Sequence, residues 1–339
     1  MPPLVSVVVP VYNAEKMIES TLESIMSQDY PNLEIIVVND ASPDNSADIA
    51  SRVLEKGSRP YRIIGHEKNR GVCAARNTGL FAAEGAYIHF MDDDDLIDGN
   101  FISSLAASAV GENSDIACCG YRTREISTGE ETMYPLRIVP GAAYSGEDLA
   151  MMSISGKFLV VMWTSLFRKD FLTENGLAFT EGYQTGEDTE FIIKSLLMSA
   201  RTSFVPQCLY VYRLHEKMVS RGSNITLEQI LRRRESDIRS RLRTARFVMN
   251  HAKPHAIVEM AKYLTLPEMH LKMFTIHAWR GDRSKFDRAL RSKEIRKILF
   301  SSRKVFFREP RIFLKSLWLY TAPNLYYNYR RRHVYRTRT

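Results

Sequence analysis

The sequence predicts an α/β fold, a mostly parallel sheet flanked by helices, followed by a basic helical C-terminal region. Three observations lead there. Over the first hundred residues, runs that are apolar at every position alternate with stretches of helical spacing. Strands without a polar face belong in a sheet covered on both sides, which is characteristically parallel. The polar residues of these repeats gather just after the strands, where ligands of such sheets bind. The charge also splits. The 339 residues carry 47 Lys and Arg against 39 Asp and Glu, a net of +8. Residues 230–339 hold 28 against 8, a net of +20, which leaves −12 on residues 1–229. Two ends so different are expected to do different jobs.

The elements follow in order. Leu4–Pro10 is a β-branched run ended by proline, hence a strand. Ala14–Ser27 places Met17, Ile18, Leu22, Ile25 and Met26 at helical spacing. Leu33–Asn39 is a second apolar strand, and Ser46–Lys56 a helix opened by a Ser cap with Ile49, Val53 and Leu54 on one side. Tyr61–His66 reads as a third strand, Gly71–Ala83 as a small-residue helix and Ala86–Met91 as a fourth strand. Asp115–Thr123 is expected to be a fifth strand, Arg124–Ser145 a turn-rich surface excursion, and Phe158–Phe167 a strand. Glu187–Ala200 carries a helical pattern and Phe204–Tyr212 is rich in β-formers. From about Thr226 the chain becomes basic and helical, so a domain boundary is expected near residue 225, giving domains 1–225 and 226–339.

Composition excludes several classes. Hydrophobic residues are 45% and charged residues 25%, ordinary for a folded protein and unlike disordered or fibrous chains. The four cysteines, Cys73, Cys118, Cys119 and Cys208, form no C-x-x-C pair and no disulfide framework, which suggests a reducing cytosol. The opening Met-Pro-Pro-Leu lacks the positive start of a signal peptide. No run of 18 apolar residues exists, and Ile312–Tyr329 is interrupted by Lys315 and Pro323.

The chemistry centres on Asp92-Asp93-Asp94-Asp95. Four consecutive carboxylates repel one another, and they directly follow a buried strand. A hard divalent ion with oxygen ligands would relieve that repulsion. The alternative is a solvated acidic turn, with Asp95 capping the next segment.

Val5-Ser-Val-Val-Val-Pro-Val-Tyr-Asn13, Val37-Val-Asn-Asp40-Ala-Ser, Asn69-Arg-Gly71, Ala75-Arg-Asn77 and Phe90-Met-Asp-Asp-Asp-Asp95, five motifs in register over roughly residues 4–220, resemble family-2 glycosyltransferases of the GT-A fold. The resemblance implies a nucleotide-sugar donor whose base is lined by Pro10, Val11 and Tyr12, with Asp40 accepting a hydrogen bond from it. A carboxylate suits the N–H of uracil, so a UDP-sugar is favoured. This chain has Asn39-Asp40 where the family often has two acids. The quartet takes the place of the family's metal-binding D-x-D, read as Asp92 and Asp94. The resemblance implies Asp94 as the direct ligand of Mn²⁺ or Mg²⁺, with Asp92 and Asp93 on the donor side. Arg76 either supports the pyrophosphate or pairs with the quartet.

Gly186-Glu187-Asp188 opens a helix, and a carboxylate on a first turn is also ordinary helix-start acidity. The resemblance implies that Asp188 is the general base, with Glu187 beside it at the acceptor. One base suits single-step inversion, whereas retention by double displacement needs a carboxylate nucleophile too. His215, in Tyr212-Arg213-Leu-His215, matches a family histidine that approaches the metal. Trp163 either stacks on an acceptor sugar or belongs to the core.

The implied enzyme is an inverting hexosyltransferase acting on a glycan or lipid-linked glycan, as in bacterial surface polysaccharide synthesis. It is expected in the cytoplasm, peripheral on the inner face of the membrane. The alternative is a non-catalytic nucleotide-sugar or glycan-binding module, against which stands the intact set Asp40, Asp94 and Asp188. A nucleotidyltransferase would want a Gly-rich phosphate loop where this chain has Val11-Tyr-Asn-Ala-Glu15. The basic tail, with Trp318, Tyr320, Tyr326, Tyr327 and Tyr329 interleaved, suits an anionic membrane surface; the alternative is a helical bundle with a solvated basic face and nothing more. No nucleic-acid motif accompanies its charge, so no nucleic-acid partner is expected.

Overall fold

The computed structural model describes residues 1–139, 143–154, 160–183, 185–215, 226–253, 256–305 and 309–332. The chain divides into two compact units, Met1–Asn224 and Ile225–Thr339.

The strands of the first unit are β1 (Val5–Val11), β2 (Leu33–Asn39), β3 (Tyr61–Gly65), β4 (Tyr87–Phe90), β5 (Leu96–Ile97), β6 (Ile116–Glu125), β7 (Glu131–Tyr134), β8 (Ser165–Arg168) and β9 (Thr202–Leu214). They form one sheet in the order β3-β2-β1-β4-β8-β6-β9-β5, with β7 on Tyr121–Arg124 of β6. β1 is parallel to β2 and β4, with Val8 opposite Ile36 and Phe90, and β2 is parallel to β3. β8 runs antiparallel to both β4 and β6, and β9 is parallel to β6. Two reversals cancel. β1, β2, β3, β4, β6 and β9 therefore all end at one edge of the sheet.

The helices are α1 (Ile18–Met26), α2 (Ser46–Glu55), α3 (Val72–Ala82), α4 (Phe101–Gly111), α5 (Gly146–Ile154), α6 (Lys169–Glu174) and α7 (Glu187–Met198). α3 lies on β1 and β2, and α4 on β6, β8 and β9. Gly79 explains how closely α3 approaches: a Cβ there would stand 2.1 Å from Val8 Cγ1. At the opposite edge of the sheet, buried Glu34 accepts hydrogen bonds from Ser6 Oγ (2.5 Å) and the Glu84 N–H (2.7 Å). It also pairs with Arg62 at 2.9 Å. Burial alone would raise its pKa, but the Ser6, Glu84 and Arg62 contacts hold it below the ordinary glutamate value.

Several expectations are revised. β3 is an edge strand with alternating exposure, so it is not covered on both faces. The excursion over 124–145 contains β7, exposed at all four positions; residues 140–142 lie outside the described residues. The strand expected over Phe158–Phe167 is shorter. Residues 158–159 lie outside the described residues, Met162–Thr164 form a 3₁₀ turn, and only Ser165–Arg168 is strand. The Val161 carbonyl accepts from Thr164 N–H, Thr164 Oγ1 and Ser165 Oγ, which closes a turn where apolar composition suggested extension. All four cysteines are free and buried.

The second unit is helical: α8 (Leu227–His251), α9 (Ala256–Met260), α10 (Leu266–Trp279), α11 (Arg283–Arg291), α12 (Lys293–Ser301), α13 (Pro310–Thr321) and α14 (Pro323–Arg332). A Thr226–Gln229 capping box starts α8. α10 packs against α8 and α11–α14, and its Phe274 joins Phe286, Leu299, Leu319 and Tyr326 in the core. Part of the basic charge is answered along α8 itself, where Arg232, Arg239 and Arg241 pair with Glu228, Glu235 and Asp237 one turn earlier. Among the described residues, no helix is long and apolar enough to cross a membrane.

Candidate functional site

The common strand edge gathers most of the candidate residues. β1 ends in Tyr12 and Asn13, and Asn13 turns the chain with φ 59°. Of the three residues expected to line a base, Tyr12 presents its side chain, 49% exposed, while Pro10 and Val11 are buried inside β1. The loop after β2 holds this corner. Ser42 Oγ accepts from the Asn13 N–H (2.7 Å), Ser46 Oγ from Ala14 (2.8 Å), and Asp44 Oδ2 from Glu15 (3.0 Å). Burial would raise the pKa of Asp44, but hydrogen bonds from Ser42, Ser46 and two backbone N–H groups hold it at about 2. Sequence reasoning missed this Ser42-Asp44-Ser46 brace; its signal was hydroxyl and carboxylate residues ahead of a helix start.

Asp40 is buried and amply partnered. His66 Nδ1 lies 2.6 Å from its Oδ1, the Arg70 N–H donates to Oδ1 (2.9 Å), and the Gly71 N–H donates to Oδ2 (2.7 Å). Its carboxylate thus ties β2 to the Asn69-Arg-Gly71 loop that starts α3. Gly71 stands there at φ 88°, a conformation that favours glycine. Thr78 on α3 holds the other nitrogen of His66 at 2.9 Å. His66, the last residue of a predicted strand, gave no warning of this role.

The acidic quartet leaves β4 and divides. Asp92 pairs with Arg76 at 2.6 Å. Asp93 Oδ2 accepts the Tyr12 N–H at 2.9 Å. Asp94 Oδ2 lies 3.0 Å from His215 Nε2. Asp95 is fully buried and accepts from the Tyr210 hydroxyl (2.7 Å) and the Arg213 N–H (2.9 Å). Burial, with Asp92 beside it, raises the pKa of Asp94, against which the His215 contact works. Arg213 fastens the group, donating to the Asp94 carbonyl, Ser20 Oγ (2.7 Å) and Thr21 Oγ1 (2.8 Å), and so ties β9 to α1 and the quartet.

α7 brings the last carboxylates. Gly186 enters it at φ 83°. Glu187 Oε1 lies 3.5 Å from Arg76, and its Oε2 is buried with no hydrogen-bond partner among the described residues. Burial raises the pKa of Glu187; Arg76 opposes that shift and Asp188 adds to it. Asp188 is half-buried, with Oδ1 accepting the Thr189 N–H at 2.6 Å. Arg76, 4% exposed and 5.3 Å from the Phe179 ring centre, joins Asp92 to Glu187. Arg76 thus pairs with the quartet through Asp92. Trp163 sits in an aromatic cluster, stacked on Tyr212 at 5.3 Å and packed near Tyr210 and Tyr121, with 9% exposure.

Among the described residues, no three His, Cys, Asp or Glu side chains converge as a ready cation site. Asp94 and His215 nonetheless offer one oxygen and one nitrogen donor at one point, in a neighbourhood of crowded negative charge. That donor set fits a hard divalent cation that takes its other ligands from a diphosphate and water.

Residues 6–172 match the family model described as glycosyl transferase family 2. The chain is similar to the uncharacterized glycosyltransferase EpsJ of Bacillus subtilis, 32% identical over 216 residues, covering 63% of this chain and 62% of that protein. It is also similar to the minor teichoic acid biosynthesis protein GgaB of Bacillus subtilis, 31% identical over 216 residues, covering 62% of this chain and 23% of that protein. The chain thus spans less than two thirds of the length of these relatives. Among solved structures, S. aureus TarS 1–349 in complex with UDP-GlcNAc matches the fold with a TM-score of 0.66 at 20% identity, over 98% of this chain and 90% of that one. Asp188 and His215 lie beyond the matched segment, and the quartet lies within it. Residues 6–172 thus match glycosyltransferase family 2.

Proposed function

We propose that this chain is an inverting glycosyltransferase. It moves a sugar, a hexose in the favoured case, from a UDP-sugar to a glycan or lipid-linked glycan during bacterial surface polysaccharide synthesis. The observation that carries this reading is the meeting of two carboxylate groups through Arg76: the quartet after β4, paired with His215, and Glu187-Asp188 at the start of α7. The family match supports transfer chemistry. The relatives' names support a nucleotide-sugar donor and an envelope-glycan acceptor.

In this scheme the nucleotide lies along the strand edge beside exposed Tyr12, whose backbone is held by Asp93. Asp40 fastens its loop with three accepted hydrogen bonds and keeps acceptor capacity for an N–H of the base. Asp94 and His215 would hold a divalent cation, Mn²⁺ or Mg²⁺, which would supply positive charge against the departing diphosphate. Arg76 keeps Asp92 and Glu187 in place beside the pyrophosphate. Asp188 takes the proton from the acceptor hydroxyl as that oxygen attacks the anomeric carbon. The bond from that carbon to the diphosphate oxygen breaks in the same step, so the configuration inverts. Glu187 borders the acceptor. Trp163 keeps one edge for an acceptor sugar while its faces pack on tyrosines.

The helical unit is proposed to rest on the inner face of the cytoplasmic membrane. Supporting this, Leu314, Leu317, Leu325 and Tyr329 are exposed on α13 and α14, in a stretch that ends in the exposed Arg331 and Arg332. The enzyme reading is tested by a donor screen: hydrolysis and thermal stabilisation with UDP- and GDP-sugars, with and without Mn²⁺. A UDP-sugar should stabilise the protein and be turned over only with the cation. No response to any nucleotide sugar would leave a non-catalytic module as the better description.

A further inference from the structure

The helical unit holds an open cleft of about 680 Å³ that the transferase reading does not use. It lies among α8, α10, α13 and α14, and its volume is that of a small-molecule site. Its walls carry Arg234, Lys272, Arg311, Lys315 and Arg330, against Asp237, Glu268 and Glu309. Two of those acids are answered at short range. Asp237 pairs with Arg241 at 3.1 Å, and Glu268 with Lys272 at 3.0 Å. Among the described residues, Arg234, Arg311, Lys315 and Arg330 have no ion-pair partner, which leaves four cations facing Glu309. The crowding registers on Lys315, whose pKa is lowered by burial and by Arg330; Glu268 opposes the shift, and Arg311 and Lys272 add to it.

Two donors on the same wall are also unsatisfied. Trp279 Nε1 and Arg330 Nε are buried without an acceptor among the described residues, and a buried N–H without an acceptor is costly. Arg234 lies over Trp279 at 5.4 Å and Arg330 over Tyr326 at 5.3 Å. Stacking of this kind occupies the face of a guanidinium and leaves its in-plane N–H groups for an acceptor. Repelling cations and orphan donors share one requirement, an anion with several acceptor oxygens. A phosphate group meets it better than a single carboxylate, because it carries more charge and three free oxygens.

We propose that this cleft binds a phosphate-bearing small molecule, its phosphate held by Arg311, Lys315 and Arg330. The proposal stands apart from the donor site, because every residue it uses belongs to the helical unit. The phosphate could come from a soluble sugar phosphate or from a lipid headgroup, and the test separates the two. Glucose 1-phosphate is titrated calorimetrically into the full chain, into K315Q/R330Q and into D94N. Sedimentation with phosphatidylglycerol vesicles is run in parallel, with K297Q/R303Q as a charge-matched control outside the cleft. Saturable glucose 1-phosphate binding that weakens at least tenfold in K315Q/R330Q and persists in D94N establishes a soluble phosphate ester. Vesicle binding that K315Q/R330Q loses and K297Q/R303Q keeps assigns the cleft to a headgroup. Should K315Q/R330Q melt below the wild type, R311Q, at an exposed position, replaces it. If neither probe distinguishes the cleft variants from the wild type, or neither binds, the proposal is overturned.

Discussion

At the scale of single residues, the acidic quartet shows how one sequence feature serves four purposes. Four adjacent carboxylates repel one another, and each has its own partner: Arg76, the Tyr12 N–H, His215, and the Tyr210–Arg213 pair. Burial nonetheless holds the pKa of Asp93 and Asp95 well above the ordinary aspartate value. Asp95 faces the core, so the residues that remain for a ligand are Asp92 to Asp94. That a run of carboxylates leaves β4 at the end of a buried strand was legible in the sequence. Which aspartate meets which partner was not, because Tyr210, Arg213 and His215 lie more than a hundred residues further on. Asp188 carries the sharpest single-residue expectation. Asp188→Asn keeps the shape of the side chain and removes its basicity. Binding of donor should be unchanged while the transfer rate falls by about 10²–10⁴-fold, the usual worth of a general base. Unaltered turnover in the variant, measured by release of nucleoside diphosphate, would exclude Asp188 as the base.

At the scale of elements, close packing and the register of strands decide what the site can be. Gly79 lets α3, which carries Arg76, lie against Val8 of β1. Gly79→Ala must push Val8 or the helix aside. We expect a loss of about 1–3 kcal/mol, as overpacking a core usually costs, and weaker transfer, because Arg76 moves with the helix. A melting temperature equal to the wild type's would show that α3 has slack the structure does not display. Glu34 provides a pH-dependent counterpart away from the site. Its folded pKa lies below the ordinary 4.5. Its contribution is therefore complete above the unfolded pKa and is lost as pH falls through the folded value. Glu34→Gln should cost about 1–3 kcal/mol at pH 7, the usual penalty for disturbing a buried, hydrogen-bonded carboxylate. The gap between the two proteins in urea melts should close as pH falls from about 5 downward. A gap independent of pH would show that the carboxylate's charge contributes nothing. β1 and β2 were legible because nearly every residue is β-branched or apolar and buried. α4 was not, because Phe101, Ile102, Leu105, Ala106 and Ala109 are buried among further Ser and Ala, with no charged opposite face to mark the period. β5, with two residues, is too short to leave a pattern. The Asp40–His66 contact depends on the β2–β3 register, which sets Asn39 opposite Gly65, and register is a property of the folded sheet.

At the scale of the whole molecule, an acidic α/β unit and a basic helical unit share one chain. Their opposite charges give each a different preference for an anionic surface, at about 1 kcal/mol for each basic residue that comes near it. On the proposed membrane role, L314S/L325S should reduce sedimentation with phosphatidylglycerol vesicles in low salt, and higher salt should release the wild type. Equal sedimentation of variant and wild type would remove the apolar contact from the account. The central claim concerns the other unit, where the strand edge is held to be the site of a nucleoside diphosphate bound with a cation through Asp94 and His215. Calorimetric titration of UDP into the full chain tests it most directly, in Mn²⁺ and then in excess chelator, for the wild type and Asp94→Asn. The account predicts saturable binding that chelation abolishes and that Asp94→Asn weakens at least tenfold without lowering the melting temperature. UDP binding of equal strength in all four combinations would contradict it.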